Sequence, residues 1–233
     1  MHSKAEEELP WRGDPLPRGR HKLARGAVRS SQRERLLRAM VECVAQYGFD
    51  STSVPRVVAT ARVSSNAFYE FFTDKTDCFL TACDGVAREL LEELSSLSAE
   101  PSWIEAMRKG TAIYLRWWQG RPAFARAYLL SLQSAGEQAL EQRERTYAMF
   151  RAMFADLGRR ARAEQPDLPP LSALVPRILV LTITELVAEE VSAGRTDRLD
   201  QLETELAHFA IRLLSDDATA ARAVDATAAE VEA

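Results

Sequence analysis

Residues 52–79 read T-S-V-P-R-V-V-A-T-A-R-V-S-S-N-A-F-Y-E-F-F-T-D-K-T-D-C-F, two short stretches around a polar turn that close on an aromatic cluster and a lysine. Pro55 suits the opening turn of a helix, where backbone N–H groups lack intrahelical partners, and Ser53 is placed to cap it. Val54, Val57, Val58 and Ala61 give that helix an apolar face about two turns long. The turn falls near Arg62-Val63, and Ser64 is placed to cap a second helix running through Ser65, Asn66, Ala67, Phe68, Tyr69 and Phe71. Asp74, with Asp77 three residues on, caps a third. This is the pattern of a helix-turn-helix, and it makes double-stranded DNA the expected partner.

On such a unit the first residues of the second helix face base edges. Ser65 and Asn66 can donate or accept there, and Ala67 can offer a methyl to thymine. Tyr69 lies one turn further on, within reach of a phosphate, and Lys75 stands where its ammonium and exposed helix-start N–H groups could hold another.

The residues Tyr47-Gly48-Phe49, Thr52-Ser53, Val57, Ala61, Val63-Ser64, Phe68-Tyr69, Phe71-Phe72, Asp74-Lys75 and Phe79 together resemble the DNA-binding domain of the TetR family of transcriptional regulators. The resemblance covers residues 32–79. It implies base or groove contacts from Ser65, Asn66 and Ala67 and phosphate contacts from Thr52, Tyr69 and Lys75, with Ser64 opening the same helix. Arg62 stands where the family usually has glycine, because that turn residue tends toward positive φ; here it is expected to add a phosphate contact. Val58 stands where the family usually has alanine, and Pro55 cannot make the polar base contact that some members make from that position.

The 233-residue chain is 46% hydrophobic, enough for one large or two small domains, and carries a net charge of only −4. The distribution of charge is more telling than the total. Between Arg18 and Arg38 eight basic residues (Arg18, Arg20, Lys22, Arg25, Arg29, Arg33, Arg35, Arg38) face one acid, Glu34, a local +7. That segment reads either as an arm that tracks phosphates or enters the minor groove, or as a solvated, disordered tail, with Arg29 and Arg33 the expected ordered contacts. No stretch is apolar enough to span a membrane and the amino terminus lacks a signal-peptide core, so a cytoplasmic protein is expected. Cys43, Cys78 and Cys83 lack metal-ligand spacing and read as small core residues, with redox sensing the alternative.

The fold class expected is all-α, about nine helices, with an N-terminal three-helix DNA-binding domain and a C-terminal helical bundle. The expected divisions are a basic arm (1–30), the helix-turn-helix domain (31–78), a ligand-binding and dimerisation domain (79–215) and a disordered tail (216–233). Helix one is expected from Gln32 to Tyr47, where Gly48 stops it, and the helix from Lys75 keeps its apolar phase through Leu94. Further helices are expected over 102–119, from Pro122, over 137–163, over 174–193 and over 197–214.

The helix from Leu174 is apolar around nearly its whole circumference, and the last helix repeats Leu199, Leu202, Leu206, Phe209 and Leu213 at three- and four-residue spacing. A homodimer through Val175, Leu179, Ile183, Leu186, Leu202, Leu206, Phe209 and Leu213 is expected, as the TetR resemblance also implies; an internal core is the alternative. Aromatics and methionines gather between 103 and 154. Trp103, Met107, Tyr114, Trp118, Phe124, Tyr128, Tyr147, Phe150 and Phe154 read either as bundle core or as the lining of an effector cavity, with the tyrosines as polar handles and a small apolar or aromatic molecule as ligand.

No glycine-rich phosphate loop, nucleophile elbow or metal-spaced cluster occurs, so no enzyme, metal or cofactor is expected. The expected function is a homodimeric repressor released from a palindromic operator by a small molecule. The alternative is an all-helical ligand-binding or interaction module without sequence-specific DNA binding.

Overall fold

The structure is a computed structural model that describes residues 25–216. The rest of the expected arm and tail, including Arg18, Arg20, Lys22 and the residues after Asp216, lies outside it. Among the described residues no strand occurs, and the helices are α1 (Arg25–Ser51), α2 (Val54–Ala61), α3 (Ser65–Tyr69), α4 (Lys75–Ser95), α5 (Trp103–Gln119), α6 (Pro122–Ala125), α7 (Glu137–Glu164), α8 (Val175–Ser192) and α9 (Glu203–Leu214). The all-α expectation holds.

Helix α1 begins at Arg25 rather than Gln32. Once its turns from Leu36 to Val44 are fixed by burial, each further residue adds a hydrogen bond at small cost, and Ser30 supports the extension by donating to the Glu34 carboxylate at 3.1 Å. Gly48, at φ 76° and ψ 162°, breaks the helical path where a residue with a Cβ would be strained.

The chain divides into two compact units. The first comprises the chain up to Glu89 together with Gly120–Gln142; the second comprises Leu90–Gln119 and the chain from Arg143. Helix α4 contributes to both.

In the first unit α1 packs against α2, α3, α6 and the π-helical turn Arg126–Leu130. Its core contains Leu36, Met40, Phe68, Phe79 and Phe124, each at most 1% exposed. Arg121 bonds the Glu89 carboxylate at 3.1 Å, and Gln142 donates to Leu80 O and Asp84 Oδ1, both at 3.0 Å. These bonds tie residues 120–142 to α4.

In the second unit α5 packs against α9 and the 3-10 segment Thr196–Leu202. Glu164 accepts from the Trp103 N–H at 3.0 Å, satisfying one of the unpaired donors at the start of α5. Arg162, near the end of α7, donates to the carbonyls of Pro169 and Leu214. The last helix, expected over 197–214, is helical in α geometry only from Glu203. Leu199 therefore leaves the expected heptad-like row, sits in the 3-10 segment, and is fully buried.

Candidate nucleic-acid interface

Helices α2 and α3 are held together by Val57, Val58, Ala61, Ala67 and Phe68, all buried. Between them Arg62 adopts the left-handed conformation, φ 55° and ψ 48°, so the turn keeps the geometry that ordinarily selects glycine. Two backbone bonds close it, Arg62 N to Ala59 O at 3.3 Å and Val63 N to Val58 O at 3.1 Å. Arg35 of α1 donates to the carbonyls of Ala61 and Arg62 at 3.2 and 3.4 Å, satisfying acceptors that the end of α2 leaves without helical partners. In the sequence Arg35 reads only as one basic residue among eight. No local signal marks a contact between positions 26 and 27 residues apart.

Ser64 caps α3, its Oγ accepting from Ala67 N at 3.1 Å. Ser53 occupies the matching position before α2, in extended backbone, but makes no side-chain cap. Pro55 occupies the second helical position and has no N–H for that hydroxyl to accept.

Ser65 and Asn66 are exposed, and Tyr69, 60% exposed, stands edge-on to Phe68 at 5.3 Å. These three form the outward face of α3. Ala67 does not join them: it is 8% exposed, so its methyl packs into the domain and is not available to thymine.

Thr52 and Lys75 are likewise committed inside the protein. Thr52 is 2% exposed and its hydroxyl donates to Gly48 O at 2.8 Å. Lys75 Nζ lies 2.9, 3.3 and 3.1 Å from the carbonyl oxygens of Phe49, Asp50 and Thr52, and 4.3 Å from the Phe49 ring centroid. An ammonium has three donors. All three are directed at the end of α1, so the expected phosphate clamp is a C-terminal cap in this structure. Two aspartates cap the start of α4: Asp77 N donates to Asp74 Oδ1 at 2.8 Å, and Thr73 N donates to Asp77 Oδ2 at 2.8 Å.

Basic side chains flank the outward face. The Arg29 guanidinium lies 5.0 Å over the Phe71 ring and its Nη2 is 3.5 Å from Glu70 O, while that of Arg33 lies 5.7 Å over Phe72. Both arginines are exposed, and stacking on the aromatic residues that follow α3 holds them beside it. Arg62 is exposed at the turn. Arg56 lies 4.1 Å over the Tyr47 ring and donates to Ser51 O at 2.9 Å.

The candidate effector residues divide between the units. Phe124 and Tyr128 stack at 5.5 Å in the first, where they are buried. Trp103, Met107 and Trp118 are buried in the second, whereas Tyr114, Tyr147, Phe150 and Phe154 of that unit keep part of their surface exposed. Tyr114 contacts Trp118 and Phe150 edge-on at 6.1 and 6.0 Å.

The expected dimer residues also separate. Leu179, Ile183 and Leu206 are at most 8% exposed and form the core of the second unit, so none of them is available to a partner chain. Leu186 and Phe209 are exposed, as are Leu174, Ile178 and Leu181; Val175, Leu202 and Leu213 are partly so.

All three cysteines are buried free thiols, and burial pushes each thiol up from its ordinary range. Among the described residues no three His, Cys, Asp or Glu side chains group to hold a metal, and no helix is long and apolar enough to cross a membrane.

A capped second helix with an outward polar face, a tight left-handed turn and flanking stacked arginines form a helix-turn-helix unit whose outer face suits a DNA groove. Residues 36–82 match the model of the bacterial regulatory proteins, tetR family. A stretch of 79 residues is 30% identical to the HTH-type transcriptional repressor AcnR of Corynebacterium diphtheriae; it covers 34% of this chain and only 40% of that protein. The fold is similar over most of the chain to solved regulators. The fatty acid degradation regulator FadR of Bacillus halodurans matches with TM-score 0.69 and 15% identity, over 78% of this chain and 97% of that one. FadR of Bacillus subtilis, solved with stearoyl-CoA, matches with TM-score 0.70 and 15% identity over 77% and 97%. A TetR-like regulator from Rhodococcus sp. RHA1 matches with TM-score 0.60 and 22% identity over 83% and 96%.

Proposed function

We propose that this protein is a cytoplasmic homodimeric repressor that binds a palindromic operator through α3 and is released by a small apolar or aromatic ligand held in the second unit. The observation that carries the reading is the outward face of Ser65, Asn66 and Tyr69 beside Arg29 and Arg33, in a chain that also leaves Ile178, Leu181, Leu186 and Phe209 uncovered. The polar face suits base edges and the arginines suit phosphates. The uncovered apolar row suits a second copy, whose recognition helix would then enter the next major groove about 34 Å away.

The repressor named AcnR supports the sense of regulation, and the stearoyl-CoA complex of the Bacillus subtilis regulator supports a ligand with a large apolar part. Release would follow from population shift: ligand favouring a conformer with the wrong spacing between recognition helices draws the protein off DNA.

The test is enrichment of operator sequences from random duplex DNA by the purified protein at near-physiological salt. A recovered palindrome supports the reading, with Asn66→Ala relaxing preference at one position by about 1–3 kcal/mol and Arg33→Ala weakening all sequences alike. A folded dimer that enriches no motif would instead favour the module without sequence-specific DNA binding.

A further inference from the structure

The connection from α1 to α2 turns four successive carbonyls toward two cations. Lys75 takes those of Phe49, Asp50 and Thr52, and Arg56 takes that of Ser51, with its Nη1 at 2.9 Å. The two side chains differ in what remains. Every donor of the ammonium is engaged, whereas a guanidinium has five and the bond to Ser51 uses one. Arg56 is exposed, and its charge centre lies 4.1 Å over the ring of Tyr47, itself 44% exposed. The guanidinium is held at two points without being covered.

Helix α2, V-P-R-V-V-A-T-A, has no other charged residue. Val57, Val58 and Ala61 are buried, and the Thr60 hydroxyl meets Cys43 Sγ at 3.5 Å. In a helix-turn-helix the helix before the recognition helix crosses the DNA backbone. The one full charge with which α2 can meet a phosphate there is therefore that of Arg56. Thr52 and Lys75, from which phosphate contacts were expected, are turned inward. The planar fork of a guanidinium matches phosphate oxygens, and stacking on Tyr47 fixes it beforehand, so little side-chain freedom is lost on binding. Tethered to the end of α1 and carried one helix before α3, it suits the backbone rather than a base edge.

We infer that Arg56 is a preformed phosphate contact of the DNA interface, set on Tyr47 and tethered to Ser51, which supplies from α2 the charge that Lys75 directs inward. This inference rests on the proposed operator binding and adds a residue to it. Tyr47 is a positioning residue that acts through Arg56.

The experiment measures binding of the full-length protein to its enriched operator and to a random duplex of the same length, from about 50 to 200 mM salt. Arg56→Gln keeps an N–H for the Ser51 carbonyl and removes the charge. It is expected to weaken both duplexes alike, about tenfold at the lower salt, and to make the slope of log affinity against log salt shallower by about 0.9, the value of one phosphate. Tyr47→Ala keeps the charge and loses the platform, so the slope should be unchanged and affinity should fall about two- to fivefold. Urea midpoints of both variants, expected near that of the wild type, separate a lost contact from a lost fold. A role for Arg56 confined to the turn would leave the salt slope unmoved. The inference is overturned if the slope survives Arg56→Gln, or if that variant changes preference at one base pair while leaving the random duplex unaffected. Wild-type protein that binds neither duplex overturns operator binding itself and this inference with it; wild-type binding with an unchanged slope in Arg56→Gln overturns this inference alone.

Discussion

The ammonium of Lys75 lies 2.9 Å from the carbonyl oxygen of Phe49, joining the first turn of α4 to the end of α1 across 26 residues of sequence. Its other two donors reach the carbonyls of Asp50 and Thr52. A residue expected to face DNA thus holds the domain closed from within, and it fixes where the chain enters α2.

Replacing it should therefore show first in stability. Lys75→Met keeps the aliphatic stem but leaves three carbonyls without their donor, and is expected to destabilise the domain by about 2–3 kcal/mol. Urea unfolding measures this. An unchanged midpoint, with DNA affinity reduced, would return Lys75 to the phosphate-clamp role.

The left-handed Arg62 gives a prediction of opposite sign. Arg62→Gly removes a Cβ from φ 55° and should stabilise the folded protein by about 0.5–1 kcal/mol, the gain being limited by the greater freedom of glycine in the unfolded chain. The same variant tests DNA contact independently. A lower affinity with a shallower salt dependence would assign the exposed guanidinium to a phosphate.

Neighbouring leucines on α8 should separate association from folding. Leu181, 48% exposed, and Leu179, fully buried, lie two residues apart. Leu181→Glu is expected to leave the unfolding midpoint of the monomer nearly unchanged and to shift sedimentation toward monomer. Leu179→Ala should cost about 2–5 kcal/mol of stability through the cavity it leaves. A dimer that survives Leu181→Glu would place the interface elsewhere.

The buried thiols predict an alkaline limit. Cys43, Cys78 and Cys83 are all raised by burial, so above the ordinary thiol range the unfolded chain releases protons that the folded chain retains. The unfolded state then binds fewer protons, and stability falls as pH rises past about 9. Denaturation midpoints from pH 7 to 10 check this, with Cys78→Ala and Cys83→Ala expected to flatten the slope.

Much of the DNA-binding domain is legible in the sequence because its signals are local. Ser64 bonds Ala67, Asp74 and Asp77 cap α4, and Gly48 takes a conformation that other residues resist; each acts within about one helical turn. The apolar phase of α4 and α7 is local in the same sense. What sequence determined, therefore, is the class of the fold, the order of its helices and the outward polar start of α3.

Only tertiary structure decided which candidate side chains face outward. Lys75 and Thr52 point to the end of α1, Ala67 turns inward, and Arg35 closes a turn far along the chain. Phe124 and Tyr128 join the first unit although they fall within the aromatic stretch that continues in the second. On α8, apolar around nearly its whole circumference, the sequence could not say whether Leu179 or Leu181 is buried. The reason is physical: a side chain's residue type fixes what it can bond or bury, but the partner is supplied by another helix, and its position is set only when the helices pack.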